Sequence, residues 1–426
     1  MASFLSSLRS VCTLAACAAL AAGCAQSDVE EEETGASEDA QVATAVVVAD
    51  AKAIAVAEVF EDRVRLPLAV ADRYRQLTPG AIFVGARGAS KSKNPDGFLR
   101  RVAAVTNEGD ALVVITTPAT LTDAIVNGAM RASSGGGSGI DDHALTRSEL
   151  RGIEIDFGGE PLFENVDEID VEGGKARFTE SITFERALLA AKPVVEVDLR
   201  IQDSRIRRFV AKVEGNLDTS ARAIASVTAE GDVNDATLAE LRARKHDVRR
   251  VIYQSPRVPL PTMSIGRVPL SPSVQFTVAL HCNLAFGGPL VANAGVEAKS
   301  YVRLGAVLEG GEWQPPIASD FDIRPSFSME RGGQVEARCA VEVDAELFAY
   351  GTSGVTMSVA PYVDFGVRAA GGAPALGFPE GYRFRVVAGA SGAMRGRADV
   401  FGVRPEELDR ALVEWKAPEA LEGSAR

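Results

Sequence analysis

Residues 274–286 read VQFTVALHCNLAF, and every second residue of this stretch is apolar. The apolar positions are Val274, Phe276, Val278, Leu280, Cys282, Leu284 and Phe286. A period of two is typical of a β-strand that buries one face. Residues 335–349 repeat the alternation, and each stretch places one cysteine, Cys282 or Cys339, among its apolar positions. We therefore expect two long strands of a β-domain.

The composition is that of a globular protein with an acidic surface. The chain has 426 residues, of which 46% are hydrophobic and 6% aromatic, and its formal net charge is −13. This length allows more than one domain and at least one sizeable core. The acidic balance argues against nucleic acid as a partner, because the phosphate backbone attracts basic surfaces.

The N-terminal segment predicts export. Residues 1–10 carry one charged side chain, Arg9, and residues 11–23 (VCTLAACAALAAG) are apolar or small. Such a run is too short to span a bilayer and suits the core of a signal peptide. The following segment, 24–44, is acidic and lacks aromatic side chains. It cannot bury a core, so we expect a disordered tether.

Residues 20–24, LAAGC, resemble the lipobox of bacterial lipoproteins, in which the cysteine is lipidated and becomes the mature N-terminus. Ala21 stands where that pattern prefers a larger aliphatic residue. The resemblance implies a signal peptide at 1–23 and a lipid bilayer as partner through acylated Cys24. Ala25 in place of an aspartate implies the outer membrane, on its periplasmic or its cell-surface face. An ordinary secretory signal, giving a secreted protein, is the alternative.

The cysteine positions predict one disulfide. Three of the five cysteines lie in the N-terminal run, which leaves Cys282 and Cys339 in the rest of the chain. Two remaining cysteines in a chain with an export signal are typical of a disulfide. The alternative is a pair of unbonded core cysteines, which pack as small hydrophobic side chains.

Alternating runs separated by turn residues predict a mostly β fold with antiparallel sandwich-like domains, a small β-rich N-terminal unit and few short helices. The run SSGGGS at 133–138 predicts a flexible linker, and prolines between 256 and 272 predict a crossing between sheets or domains. The predicted divisions after the tether are a small β-rich domain at 45–132, the linker at 133–150, a strand-rich region at 151–255 and a β-sandwich-like domain at 256–426.

Local patterns predict individual elements. Residues 107–110, NEGD, predict a hairpin turn between two strands. The other predictions are two strands within 45–66, a short helix at 121–130, three or four strands between 184 and 233, a helix or strand at 237–245, and a helix at 405–415.

Three segments resemble a module of uncharacterised exported β-rich proteins and lipoproteins of environmental bacteria. They are PGAIFVG at 79–85, GFLRRV at 97–102 and TTPATLTDA at 116–124. The module covers about a fifth of the chain. This resemblance implies an exported β-protein and no particular activity.

Candidate binding residues are few. Oxygen-rich loops suit Ca²⁺, and the acidic segment offers Glu154, Asp156, Asp167, Glu168 and Asp170. Alternating acids are equally typical of a solvated strand face. His143, His246 and His281 lack partners at metal-ligand spacing, so we interpret them as surface residues. No catalytic residue and no cofactor is predicted.

These patterns predict a lipid-anchored cell-envelope protein with a structural or ligand-binding, non-catalytic role and an unknown protein or glycan ligand. One alternative is an anchored or secreted hydrolase of envelope or environmental polysaccharide, whose paired carboxylates would meet only in the fold. A second alternative is a calcium-dependent adhesin that uses the acidic segment.

Overall fold

A computed structural model describes most of the chain after residue 39. The described residues are 40–89, 92–133, 153–159, 161–309, 312–314, 318–331, 334–369, 382–396, 410–416 and 421–425. The predicted signal peptide at 1–23, the lipidation site Cys24, the tether as far as residue 39 and the linker at 134–150 lie outside the described residues. The end of the predicted tether is corrected, because Gln41 and Val42 form a strand that pairs with residues 125 and 127.

Strands make up 71% of the structure and helices 9%. Several sheets are antiparallel, and a curled mixed sheet lies near the N-terminus. The predicted fold class, mostly β with sandwich-like antiparallel sheets, a small β-rich N-terminal unit and few short helices, is confirmed.

The N-terminal unit is a curled six-stranded sheet with short helices. In chain order the elements are β1 (Gln41–Val42), β2 (Val46–Val48), α1 (Ala51–Val56), β3 (Glu58–Val59), β4 (Arg63–Pro67), α2 (Leu68–Ala71), a 3₁₀ turn (Asp72–Tyr74), β5 (Ile82–Gly85), β6 (Phe98–Glu108), β7 (Ala111–Pro118), α3 (Leu121–Ala124) and β8 (Ile125–Ser133). The sheet runs β2-β5-β6-β7-β4-β3 and is parallel only between β2 and β5. Its core includes Tyr74, Phe83 and Phe98, with successive ring centroids 5.4 and 4.8 Å apart.

Helix α1 corrects one strand prediction, because residues 51–56 belong to a run that we interpreted as a strand. The Asp50 carboxylate accepts a hydrogen bond from the backbone N–H of Ala53 at 2.9 Å and caps the first turn of the helix. Alanine has the highest helix propensity, and it occupies half of this short segment. The cap and the alanines together outweigh the apolar alternation.

The C-terminal part of the predicted helix at 121–130 is also corrected. Helix α3 ends at Ala124, and the chain continues directly as β8. Strand β8 joins a larger sheet, where Gly128 and Met130 lie opposite Ile201 and Leu199. This long-range pairing outweighs the helical spacing of the apolar residues. The hairpin predicted at 107–110 is confirmed.

Apart from one helix, the remaining elements build two large antiparallel sheets and one separate two-stranded sheet, formed by residues 263–265 and 268–270. They are β9 (Ile153–Asp156), β10 (Pro161–Val171), β11 (Gly174–Gln202), β12 (Arg205–Gly231), α4 (Asp235–Ala243), β13 (His246–Gln254), β14 (Val258–Pro259), β15 (Met263–Ile265), β16 (Val268–Leu270), β17 (Pro272–Phe286), β18 (Leu290–Glu309), β19 (Glu312–Gln314), β20 (Ala318–Arg331), β21 (Val335–Ala349), β22 (Thr352–Ala369), β23 (Tyr382–Gly396), β24 (Arg410–Lys416) and β25 (Leu421–Ala425). The nine-stranded sheet runs β1-β8-β11-β12-β18-β19, with β9 and β10 also on β11 and β20 on β18. The eight-stranded sheet runs β13-β17-β21-β22-β23-β24, with β14 also on β17 and β25 on β23.

The two large sheets bury apolar faces against each other. Phe178 of the nine-stranded sheet shares a buried cluster with Phe286 and Val367 of the eight-stranded sheet. A second cluster joins Leu199 of β11 to Phe276 of β17 and reaches the N-terminal unit. The sandwich is therefore held by side chains that point inward from alternate positions of both sheets.

Strands β17 and β21 confirm the predicted strand pair and its disulfide. Every alternate residue from Val274 to Phe286 is buried. The antiparallel register places Cys282 directly opposite Cys339, with Cα atoms 4.1 Å apart, and the two cysteines are disulfide-bonded.

Residues 184–233, predicted as three or four strands, lie within two long ones. Strand β11 has 29 residues and β12 has 27, and they form one hairpin. Its two-residue turn consists of Asp203 and Ser204, with φ angles of +53° and +55°. Positive φ at both turn residues matches the right-handed twist of the strands it connects.

Pro193 and Gly215 explain why the sequence suggested shorter strands, since both residues usually mark strand ends. In the structure they lie directly opposite each other within the hairpin. On the other edge of β11, strand β9 pairs with residues 188–191 and β8 with 196–201. Pro193 lies between these two ladders, so its missing N–H removes no bond from either.

The structure also decides the predictions for residues 237–245 and 405–415. The segment 237–245, for which helix and strand were both open, lies mainly in α4, whose N-cap Asn234 forms a capping box with Thr237. The helix predicted at 405–415 is wrong from residue 410 onward, because β24 pairs there with β23. Residues 405–409 lie outside the described residues.

The proline-rich segment at 256–272 connects the sandwich to the N-terminal unit. Ile265 and Leu270 are buried in the cluster that also contains residues of β5. Arg87 of the N-terminal unit donates a hydrogen bond to the Pro272 carbonyl at 2.7 Å. The predicted divisions at 132, 150 and 255 stay predictions.

The disulfide predicts a measurable loss of stability on its removal. Cys282 and Cys339 are separated by 57 positions, and closing a loop of this size stabilises a fold by about 4 kcal/mol in chain-entropy estimates. We expect the double variant Cys282→Ala, Cys339→Ala to lose about 2–4 kcal/mol of unfolding free energy in urea denaturation. A reductant should lower the stability of the original chain and leave the variant unchanged. Equal stability of the two oxidised proteins would contradict the prediction.

The close approach of β11 and β12 predicts the effect of a methyl group at Gly215. A Cβ atom there would overlap the backbone carbonyl of Lys192, and the backbone would have to shift. We expect Gly215→Ala to lower the unfolding free energy by about 1–3 kcal/mol. Gly366→Ala in β22 is the matched control, because no atom lies within 4 Å of its Cβ position. Urea denaturation of both variants checks the difference, and equal effects would rule out the overlap as its cause.

Candidate functional site

Three polar side chains meet where the two large sheets face each other. Asp167 lies on β10, Glu180 on β11 and His246 at the start of β13, so two come from one sheet and one from the other. The β10–β11 register places Asn165 opposite Glu180, which brings Asp167 to the neighbouring position on the same face. Helix α4 fixes the position of His246, because the helix ends at Ala243 and β13 begins at His246.

The distances within this cluster are short. The His246 Nε2 atom is 2.9 Å from Glu180 Oε2 and 3.8 Å from Asp167 Oδ2. One ligand atom from each of the three residues lies within 4.8 Å of the other two. Among the described residues, no other group of histidine, cysteine, aspartate or glutamate side chains has this geometry.

The cluster is almost closed to solvent. The Glu180 side chain is fully buried, and the side chains of Asp167 and His246 are 14% and 16% exposed. The His246 ring lies against Phe163, with ring centroids 5.0 Å apart, and near Phe286 at 6.3 Å. These apolar walls lower the local dielectric, so charges inside the cluster interact strongly and lose hydration.

Each of the three residues has a polar atom without a hydrogen-bond partner. These buried atoms are Asp167 Oδ2, Glu180 Oε1 and His246 Nε2. The 2.9 Å contact between His246 and Glu180 has the length of a hydrogen bond but not its direction. A buried polar atom without a partner costs about 1–3 kcal/mol, so native proteins rarely leave three together.

The surrounding residues hold the two carboxylates only in part. Arg244 Nη1 donates to Asp167 Oδ1 at 2.7 Å, and Asn165 Nδ2 donates to Glu180 Oε2 at 3.4 Å. Burial raises the pKa of the Glu180 carboxyl above its ordinary value. Arg244 offsets one of the two carboxylate charges, which leaves the site one positive charge short. The cluster is therefore suited to hold a cation or a proton.

Only one of the five calcium candidates reaches this cluster. Asp167 belongs to it, whereas Glu154, Asp156, Glu168 and Asp170 are exposed. The Asp156 carboxylate accepts a hydrogen bond from the backbone N–H of Gly158 at 3.0 Å. The structure does not bring these five residues together as a shared site.

His281 offers an informative contrast with His246. It lies between Asp247 and Glu342, and both ring nitrogens have a carboxylate partner, Nε2 at 2.6 Å and Nδ1 at 3.0 Å. Glu342 also accepts a hydrogen bond from Arg249 Nε at 2.8 Å. His281 is 29% exposed, so this is a hydrogen-bonded charge network at the surface. His143 lies outside the described residues.

A cavity between the sheets is a second candidate. Its wall is mostly apolar and includes Phe184, Thr219, Leu280, Cys339, Tyr362 and Phe365. Its volume is about 50 Å³. An engineered cavity of roughly 150 Å³ is needed to bind benzene, and sites for larger ligands are bigger still. The cavity is therefore a packing gap too small for an organic ligand of ordinary size.

The sequence contained a signal for Glu180 that spacing rules for metal ligands miss. Residues 176–184, ARFTESITF, alternate as a buried strand face, and Glu180 stands between Phe178 and Ile182 on that face. A charged residue at an inward position is rare and marks a site with a partner. His246 carried no such signal, because its partners lie far away along the chain.

Comparison with known proteins identifies no relative. No family model matches the chain, and no curated protein or solved structure matches it either. The two resemblances described from the sequence, to lipoprotein signals and to an exported module, stay predictions. Among the residues that the structure describes, no helix combines the length and apolar character needed to cross a bilayer.

Because Arg244 pairs with Asp167 in the largely buried cluster, we expect its removal to lower the unfolding free energy more than removal of a surface arginine does. Arg244→Ala would leave two carboxylates in an apolar site without their counter-charge, and we expect it to cost about 2 kcal/mol of unfolding free energy. Arg249→Ala is the matched control, because that arginine pairs with Glu342 at the surface and should cost less than about 1 kcal/mol. Urea denaturation measures both. Equal losses would mean that the ion pair of Arg244 with Asp167 contributes no more stability than an ion pair at the surface.

Proposed function

We propose that this chain is an exported, lipid-anchored protein of the cell envelope with a structural or ligand-binding, non-catalytic role. The observation that carries the proposal is the disulfide between Cys282 and Cys339 in the middle of the sandwich. Such bonds persist in oxidising compartments outside the cytoplasm and are rare inside it. This cross-strand disulfide, with Cys282 buried and Cys339 partly buried, therefore supports export of the chain.

The N-terminal sequence supports the anchored form of this proposal. The lipobox-like LAAGC ends at Cys24, and an acidic segment follows it. The part of this segment that precedes the described fold, residues 24–39, would reach about 55 Å when fully extended, since each residue adds at most about 3.3–3.6 Å. Acyl chains on Cys24 would hold the chain at the outer membrane, and the tether would separate the folded body from the lipid.

The long β11–β12 hairpin supports a structural role. Its strands of 29 and 27 residues extend for about 90 Å at roughly 3.3 Å per residue. Ion pairs add to its stiffness: Lys212 Nζ lies 2.8 Å from Glu196 on the opposite strand and 3.1 Å from Glu214 on its own strand. A twisted ribbon of this length is suited to hold two points of the envelope, or two partners, a fixed distance apart. The partner bound by this hairpin would be a protein or a glycan.

Lipid labelling tests the anchoring proposal. Cells that produce the chain are grown with an alkyne-bearing fatty acid, and the purified protein is examined for the label. We expect labelling of the original chain and of Cys17→Ser, and loss of the label in Cys24→Ser, because only the cysteine of the lipobox is acylated. Label on Cys24→Ser, or an unlabelled original chain, would contradict the anchor.

A further inference from the structure

We infer that Asp167, Glu180 and His246 bind a transition-metal dication of the Zn²⁺ type between the two large sheets. This inference is independent of where the chain resides. It rests on three converging ligand atoms, on the burial of the site and on the polar atoms there that lack hydrogen bonds.

The distances fit a metal ion. Zinc lies about 2.0–2.2 Å from nitrogen and oxygen ligands, so ligand atoms around it are about 3.3–3.6 Å apart in tetrahedral geometry. In the cluster the Glu180–His246 and Asp167–His246 separations are 2.9 and 3.8 Å, values on either side of that range. Small side-chain adjustments therefore suffice to complete the site, with water as a further ligand.

A bound cation would supply both the positive charge and the polar contacts that the cluster lacks. Asp167 Oδ2, Glu180 Oε1 and His246 Nε2 are buried and have no hydrogen-bond partner. An ion pair between Glu180 and a protonated His246 leaves the Asp167 oxygen without a partner, and it does not account for the poor direction of the 2.9 Å contact. Coordination engages all three residues at once and offsets the uncompensated carboxylate charge.

The neighbouring residues already orient the ligands. Arg244 holds Asp167 Oδ1 and leaves Oδ2 directed at His246, while Asn165 donates to Glu180. Hydrogen bonds of this kind fix the ligands of metal sites and raise their affinity. The Phe163 ring against His246 limits the rotation of the imidazole.

The donor set distinguishes between classes of metal. Imidazole suits zinc, copper, iron and nickel, whereas Ca²⁺ takes six to eight oxygen ligands. Two carboxylates and one imidazole provide too few oxygens for calcium and an appropriate mixture for zinc. The site therefore differs from the calcium site that the acidic segment suggested, although Asp167 belongs to both.

A metal at this position would link the two sheets. Asp167 and Glu180 belong to the nine-stranded sheet and His246 to the eight-stranded sheet. Because the unfolded chain does not hold these ligands together, binding energy would add to the stability of the fold. Metal would then raise the melting temperature in proportion to the logarithm of its concentration above the dissociation constant.

Calorimetry tests the inference on the purified full-length chain after chelator treatment. Titration with ZnCl₂ is expected to show one site per chain, and CaCl₂ should give no binding at that site. Glu180→Gln and His246→Gln should each weaken Zn²⁺ binding about a hundredfold or more, since even residues that only support ligands contribute 10–100-fold. His281→Gln is the matched control and should bind Zn²⁺ with unchanged affinity.

A thermal melt provides a second measurement, which shows whether each variant is folded and whether zinc raises its melting temperature. Glu180→Gln keeps the shape of the side chain, and the partly exposed Asp167→Asn provides a second variant with a milder effect on packing. We expect both to unfold cooperatively and to lose the zinc-induced rise of several degrees in melting temperature. Absence of zinc binding to the original chain, retention of full affinity in the ligand variants, loss of affinity in His281→Gln, or equal binding of Ca²⁺ would overturn the inference.

Discussion

The fold depends on burial of one apolar face of each large sheet against the other. Because side chains alternate along a strand, a shift of one residue in register would turn a whole row of buried side chains to solvent. Strand β17 shows how tightly this is specified, since its alternate residues from Val274 to Phe286 are all buried. The Cys282–Cys339 bond adds a covalent constraint to the same register, because the two cysteines are direct cross-strand neighbours.

The cluster of Asp167, Glu180 and His246 is an exception within this apolar interface. Sequences that specify one fold usually avoid buried polar groups, and departures from that rule concentrate at functional sites. Glu180 is fully buried among inward-facing apolar residues, where a leucine would pack without a desolvation cost. Retention of a carboxylate there is understandable if the position serves binding rather than packing alone. The contrast with the satisfied, exposed network of His281 strengthens this interpretation.

The sequence predicted the parts of the fold in which local pattern and burial agree. Strands β17 and β21 followed from their alternation, and the disulfide followed from the cysteine positions. Alternation failed at residues 51–56, where the Asp50 cap and the alanines favour a helix. Helical spacing failed at residues 410–416, where pairing with β23 decides the conformation. The deciding interaction at residues 51–56 is local, whereas at residues 410–416 it comes from a strand in another part of the chain.

The candidate site was less accessible to sequence reasoning for a related reason. Asp167 was recognised as an acid suited to cations, but its partners come from β11 and β13, which approach it only when the sheets pack. Glu180 could have been recognised as a charge on a buried face, whereas nothing near His246 distinguishes it from a surface histidine. Strand pairing and sheet packing created the site.

The turn at Asp203 and Ser204 has a consequence for how the chain folds. It joins the two longest strands through only two residues, so their first contacts are between close neighbours in sequence. Closing so short a loop takes little entropy, and hairpins of this kind form within about 1–10 μs. Pairing can then extend outward from the turn, because each pair of residues that forms brings the next pair together. This ribbon can therefore serve as an early template, onto which strands from distant parts of the chain, such as β8 and β18, add later.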